Sequence, residues 1–354
     1  MKKNIVIVLL IALSMFIYFR QKEKNYYDMI NAVSGATPLA IERDAPDWAY
    51  LTIDGLVKHK YNFTSSALNG FASTRIRTRE FAPDGKYLGA YAYTGIPVFN
   101  ILEGISPRKE DGAAFNQPLD ILVKFISETG KSVEFTFNEI IMNDDSLPVT
   151  LAFYREPIRP TTDKVRDTYD KNLFTSPLTG LRLISPREPD VSRYLDNVTK
   201  ITYRVMPAPD ALLPVRKKGV KCSGEKIICI DNVNKYDSTF ENVKRIKDEN
   251  WTMIGHGHGY EKNVEVEGYD LRSFLNANFT DPGPEDYFLF VACDGYRCLF
   301  SGREIFTLES GKSIMIADRI DGRLPDTGYR LAPTKDFFSD RSMWALTCVV
   351  RLTP

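Results

Sequence analysis

The side chains best suited to chemistry fall in three groups. Ser34-Gly35-Ala36-Thr37 sets two hydroxyls among small residues. Small neighbours leave both hydroxyls approachable along the backbone. The same composition also suits a plain tether. The stretch WTMIGHGHGYEK, from Trp251 to Lys262, holds His256 and His258, two of the three histidines in the chain. In an extended segment, residues two apart share a face, so both imidazoles would converge on one metal ion. Glu261, Cys293 or Asp294 would then supply the third ligand such a site needs. As a glycine-rich turn, the segment would instead leave both rings at the surface or hydrogen-bonded. The third group is sulfur: the five cysteines leave at least one unpaired, and none are spaced Cys-x-x-Cys. Cys293 and Cys298 flank a candidate hairpin turn and could bridge across it. Cys222 with Cys229 is a second candidate pair, and buried free thiols are the alternative.

The bulk of the chain narrows what these groups could serve. Its 354 residues are 43% hydrophobic, enough for real cores, and 46 basic residues balance 46 acidic ones. A zero formal charge gives no electrostatic grip on nucleic acid, which is not expected as a partner. The N-terminus runs from Lys2 and Lys3 through an apolar stretch, Ile5 to Phe19, to Arg20, Lys22 and Lys24. That pattern reads as a signal anchor or transmembrane helix over 1–24, with no small-x-small cleavage site after it. The Met-Lys-Lys start has a bacterial look. A membrane-anchored chain facing the periplasm or exterior follows, with 25–47 as a linker that carries the Ser34–Thr37 stretch.

Beyond the linker the chain repeats itself. LTIDGLV (51–57) is echoed by ICIDNVN (228–234), GIPVFNIL (95–102) by GYDLRSFL (268–275), and ISETGKSVEFTFNEI (126–140) by ACDGYRCLFSGREIF (292–306). The firmest echo has no gap: 180–201 lies over 328–349, matching Gly180 to Gly328, Arg182 to Arg330, Leu183 to Leu331 and Arg193 to Arg341. Two copies of one module are expected, at 48–206 and 227–354, joined by a Pro-, Lys- and Gly-rich linker at 207–226. Alternating apolar stretches dominate, among them LTIDGLV, KYLGAYAY, ILVKFIS, DYFLFVA and TCVVRL. Short helices are predicted at 98–102 and 271–277. The fold class is α+β with mixed sheets.

These segments, in this order, resemble the molybdopterin-binding domain of the sulfite oxidase family. The features that carry it are a strand ending in Asp-Gly (TIDGLV), an aromatic-Thr-Gly turn into a helix (YTGIPVFNIL), a DGY hairpin (CDGYRCLFSGREIF) and the segments GLRLISP and GYRLAPT. The resemblance implies two tandem sulfite-oxidase-like modules. It also implies a cysteine ligand for molybdenum, and 63–93 and 251–268 contain none. A fold without its metal anchor is therefore expected, and molybdopterin is not. Arg182, Arg193, Arg330 and Arg341 match positions that the family makes cationic or near the cofactor, and a guanidinium fork suits phosphate. The other reading is that they hold loops through hydrogen bonds. Ser34-Gly35-Ala36-Thr37 in turn is similar to the signature on which exported redox proteins carry FMN as a phosphoester on the final hydroxyl. Asn31 stands where that signature has Asp. Taken together, the resemblances imply an accessory or electron-transfer protein with redox or cell-envelope protein partners, with FMN on Thr37 as its carrier. A cofactor-free envelope subunit and an oxidoreductase using a metal at His256 and His258 are the alternatives. Whether the chain is an enzyme stays open at this point.

Overall fold

A computed structural model describes residues 45–142, 146–158, 178–207, 215–217, 219–232 and 234–353. The expected anchor, the linker residues to 44 and the candidate FMN site at Ser34, Gly35, Ala36 and Thr37 lie outside the described residues. Among the described residues no helix is long and apolar enough to cross a membrane.

The first half contains nine described strands. They are β1 (Tyr50–Gly55), β2 (Tyr61–Thr64), β3 (Thr74–Phe81), β4 (Tyr87–Pro97), β5 (Ile121–Ser127), β6 (Ser132–Thr136), β7 (Thr150–Pro157), β8 (Leu181–Ile184) and β9 (Leu195–Val205). Short helices interrupt them: α1 (Ser65–Leu68), α2 (Val98–Gly104) after β4, and α3 (Phe137–Ile141) after β6. The second half runs β10 (Ile228–Asp231), β11 (Asn234–Asp237), β12 (Arg245–Gly255), β13 (Gly259–Asp270), β14 (Tyr287–Ala292), β15 (Arg297–Ser301), β16 (Ile314–Ile320), β17 (Arg330–Pro333) and β18 (Leu346–Leu352). Its helices are α4 (Leu271–Asn278) after β13 and α5 (Gly302–Phe306) after β15. Most pairings are antiparallel, but β1 runs parallel to β9 and β10 parallel to β18, so the sheets are mixed. This is an α+β architecture with few, short helices.

The pairings follow one plan in both halves. In the first, β2-β1-β9-β5-β6 and β3-β4-β7-β8 are hydrogen-bonded rows, linked because β8 also pairs with β9. In the second, the rows are β11-β10-β18-β14-β15 and β12-β13-β16-β17. Local chemistry recurs too. At Gly95 a Cβ would sit 2.3 Å from the Leu151 carbonyl oxygen, and at Gly268 2.2 Å from that of Ile316. Only glycine lets β4 meet β7, and β13 meet β16, that closely. Helices α3 and α5 are capped alike: Thr136 accepts from the Glu139 amide and Ser301 from the Glu304 amide.

Apolar alternation explains the burial. In β5 and β9 one face enters the main core, which runs without a break from Leu51 and Ile53 to Phe290 and Val349. Strands β14 and β15 are buried along their whole length because both faces are covered. Phe288, Phe290 and Phe300 enter the main core, while Leu289, Val291 and Leu299 pack with Leu122 and Met206 of the first half.

Two expectations are corrected. His256-Gly257-His258 is not extended; it forms the turn joining β12 to β13, closed by the His258 amide donating to the Gly255 carbonyl at 3.1 Å. The disulfide joins Cys222 to Cys293, with Cα atoms 5.9 Å apart, so neither expected pair forms. Cys298 and Cys229 are buried free thiols inside strands β15 and β10.

Candidate functional site

The four matched arginines separate into two kinds. Arg193 and Arg341 are buried struts. Arg193 donates from both terminal nitrogens to Glu139 Oε1 at 2.7 Å, lies 3.3 Å from Glu188 and covers the Phe135 ring. Arg341 meets Glu304 at 2.7 Å and Asp336 at 2.5 Å, and covers the Phe300 ring. Glu188 and Asp336 occupy matched places in the gapless alignment, so each half builds the same Glu–acid–Arg cluster on the same aromatic. Burial opposes both guanidinium charges, yet the paired acids outweigh it and raise both pKa values. These two arginines tie a hairpin to the return strand; they hold the fold.

Arg182 and Arg330 also match, but their surroundings differ. Arg182 binds Asp196 at 2.7 Å and lies 3.6 Å from Glu80, whose carboxylate also accepts the Tyr93 hydroxyl at 2.6 Å. Its place is filled and its charge answered. In the second half the alignment puts Trp344 where Asp196 stands. Glu80 pairs with Gly89, six residues before Gly95; six residues before Gly268 stands Lys262, whose partner is Met253. Both acids are thus replaced by apolar side chains.

Arg330 is consequently bare. It is 2% exposed, and its Nε donates to Ser342 Oγ at 2.6 Å, but Nη1 has no hydrogen-bond partner. Among the described residues no carboxylate comes within ion-pair distance of it. The guanidinium lies between two indoles, 4.9 Å from Trp251 and 3.8 Å from Trp344. Stacking of this kind partly compensates a buried cation. Burial pulls its pKa down to about 9, with Glu261 pushing weakly the other way.

This arginine borders a cavity of about 330 Å³, also lined by Arg216, Met253, His258, Lys262, Tyr296 and Trp344. The carboxylates there are largely engaged by backbone: Asp294 accepts from the Tyr296 amide and Asp340 from the His256 amide, both at 2.9 Å. A second cavity, about 610 Å³, is lined by Leu119, Phe137, Ile141, Met142 and His256. The two histidines therefore face different cavities, with the His256 ring edge-on to Phe338 at 4.7 Å. Among the described residues no three His, Cys, Asp or Glu side chains come together as a metal site. Trp251, Trp344, Ser342 and Arg216 were missed by sequence reasoning. The signal for Trp344 was present in the gapless alignment, where an acid beside one arginine becomes an indole beside the other.

No family model matches the chain, and no curated protein does. Among solved structures, one similar chain belongs to the sulfane dehydrogenase SoxCD from Paracoccus pantotrophus. The TM-score is 0.31 and the identity 12%, over 80% of this chain and 62% of that one. This chain thus spans less than two thirds of its neighbour's length. At such a distance the likeness assigns no ligand, partner or reaction here.

Proposed function

We propose that the chain is a tandem duplication of one α+β module and serves as an anion-binding accessory protein of an exported redox system, not as an enzyme that turns over its own substrate. The observation that carries this reading is Arg330: one arginine of a matched pair is paired with two acids, while its counterpart is buried, has no carboxylate within ion-pair distance among the described residues and borders a cavity. A desolvated cation is costly unless something answers its charge, and a bound oxyanion would do so with charge-assisted hydrogen bonds. The common strand plan, the paired Glu–acid–Arg clusters and the two matched glycine contacts support duplication. The disulfide suits an oxidising compartment, in line with export behind the apolar segment 1–24.

Tryptophan fluorescence tests the site directly, since Trp251 and Trp344 flank Arg330. Sulfate should change the emission of the wild-type protein saturably. Arg330→Met should abolish that response and Arg182→Met should leave it. An unresponsive wild-type protein would favour the cofactor-free envelope subunit.

The electron-transfer role rests on FMN at Thr37, for which the support is the Ser34–Thr37 motif. A denaturing gel of protein from its native host, viewed under ultraviolet light, tests it. A fluorescent band lost in Thr37→Ala supports the carrier; a dark wild-type band removes it and leaves the anion-binding reading in place.

A further inference from the structure

The Arg330 cavity receives a second guanidinium from outside either set of sheets. Arg216 belongs to the segment between the halves, yet it lines the same cavity, 4.7 Å from the Tyr296 ring and 6.0 Å from that of Phe115. Its Nε is buried with no hydrogen-bond partner, and among the described residues no carboxylate lies within ion-pair distance of it. The segment is pinned at several points. The Arg216 amide donates to Ala114 at 2.9 Å and the Lys217 amide to Asp294 at 2.7 Å. Cys222 is bonded to Cys293, the residue before Asp294. Gly224 then lies against Gly328, two residues before Arg330, and its carbonyl accepts from the Tyr329 amide at 3.2 Å.

Resting on the anion-binding reading above, we propose that Arg216 is the second cation of this site, that the two guanidiniums select a doubly charged oxyanion over a singly charged one, and that the Cys222–Cys293 disulfide holds Arg216 in place. Glu261 also lines the cavity and opposes any anion, so one guanidinium alone discriminates poorly, whereas two can share a dianion. The disulfide makes the second cation conditional. An external dithiol supplies two electrons and two protons, opens the Sγ–Sγ bond to two thiols and leaves as its own disulfide. The Arg216 segment then loses its covalent hold on the β14–β15 turn.

The test titrates the full chain with sulfate and with acetate at neutral pH, following tryptophan fluorescence. Wild-type protein should prefer sulfate by about tenfold or more. Arg216→Gln should erase the preference while acetate binding persists, and Arg216→Lys should recover part of it. The Cys222→Ser/Cys293→Ser protein should behave as Arg216→Gln does, and combining the changes should add nothing. Near-ultraviolet circular dichroism matching wild type shows that each variant is folded. A sulfate preference that survives Arg216→Gln, or that is untouched by loss of the disulfide, overturns this inference. If Arg330→Met leaves binding intact, or wild-type protein binds neither anion, the anion-binding reading falls with it.

Discussion

Four arginines at matched positions do two different jobs, and their energetics should separate them. Arg341 is 1% exposed between Glu304 and Asp336, so Arg341→Met strands two buried carboxylates. We expect a loss of about 3–5 kcal/mol, read from chemical denaturation. Arg330→Met removes a charge with no acid beside it and keeps an unbranched chain between Trp251 and Trp344. Its midpoint should stay the same or rise, although binding is lost, the pattern of a residue kept for function at the expense of stability. The pH dependence follows from burial, which pulls the folded pKa of Arg330 down to about 9, well below the ordinary arginine range. The folded state therefore sheds this proton earlier than the unfolded one. The penalty on stability is complete below about pH 9 and is relieved as pH climbs from there towards the ordinary arginine range. Anion binding runs the opposite way, full at neutral pH and fading as pH rises through the folded pKa. Sulfate titrations at pH 7 and pH 10 should differ accordingly; equal affinity at both would mean that the Arg330 guanidinium keeps its proton in the folded state.

At the scale of elements, the closest backbone contacts decide which side chains are tolerated. Gly268→Ala should cost about 1–3 kcal/mol, because its Cβ would overlap the Ile316 carbonyl and force β13 away from β16. Gly95→Ala should cost a similar amount at Leu151, whereas Gly130→Ala, at a turn with φ of 81° and open space around it, loses only the backbone preference. Gly95 and Gly268 were legible in the sequence as turn-to-helix signals, but not as crossing points, since the opposing strand lies far along the chain, at Leu151 and Ile316. Apolar alternation revealed β1, β4, β5, β14 and β18. It missed β3 and much of β12 and β13, where charged residues such as Arg75, Arg77, Arg79, Lys247 and Glu249 fill the exposed face of long hairpins. The choice between strand and turn at His256–His258 stayed open for a related reason: two residues of alternation in an extended strand and two residues of a tight turn look the same until a partner strand sets the register. The arginine matches were fully legible, but their meaning was not. Asp196 and Trp344 are adjacent to the question in sequence, while Glu80 and Met253 enter from another hairpin.

At the scale of the whole molecule, two similar halves do not amount to two independent domains. Leu122 and Met206 of the first half pack with Ile230, Leu289 and Val350 of the second, and the main core passes through both. Polar contacts cross as well: Arg297 pairs with Asp120 at 2.9 Å, Ser301 Oγ donates to Glu139 at 3.1 Å, and Arg303 reaches Glu188 at 3.2 Å. Removing the second half would expose that apolar surface and leave Asp120 with Lys109 alone. Burial at about 25 cal/mol per Å² makes even a modest shared face worth more than the few kcal/mol by which most domains are stable. We therefore expect one calorimetric transition for residues 45–354, with equal calorimetric and van't Hoff enthalpies. A fragment ending at Met206 should lack near-ultraviolet dichroism and bind hydrophobic dyes. Two resolved transitions, or a well-packed fragment, would mean that the modules fold separately. The shared core would then be only a docking surface, and the Arg330 cavity, which is lined by the second half and the linker residue Arg216, would not depend on it.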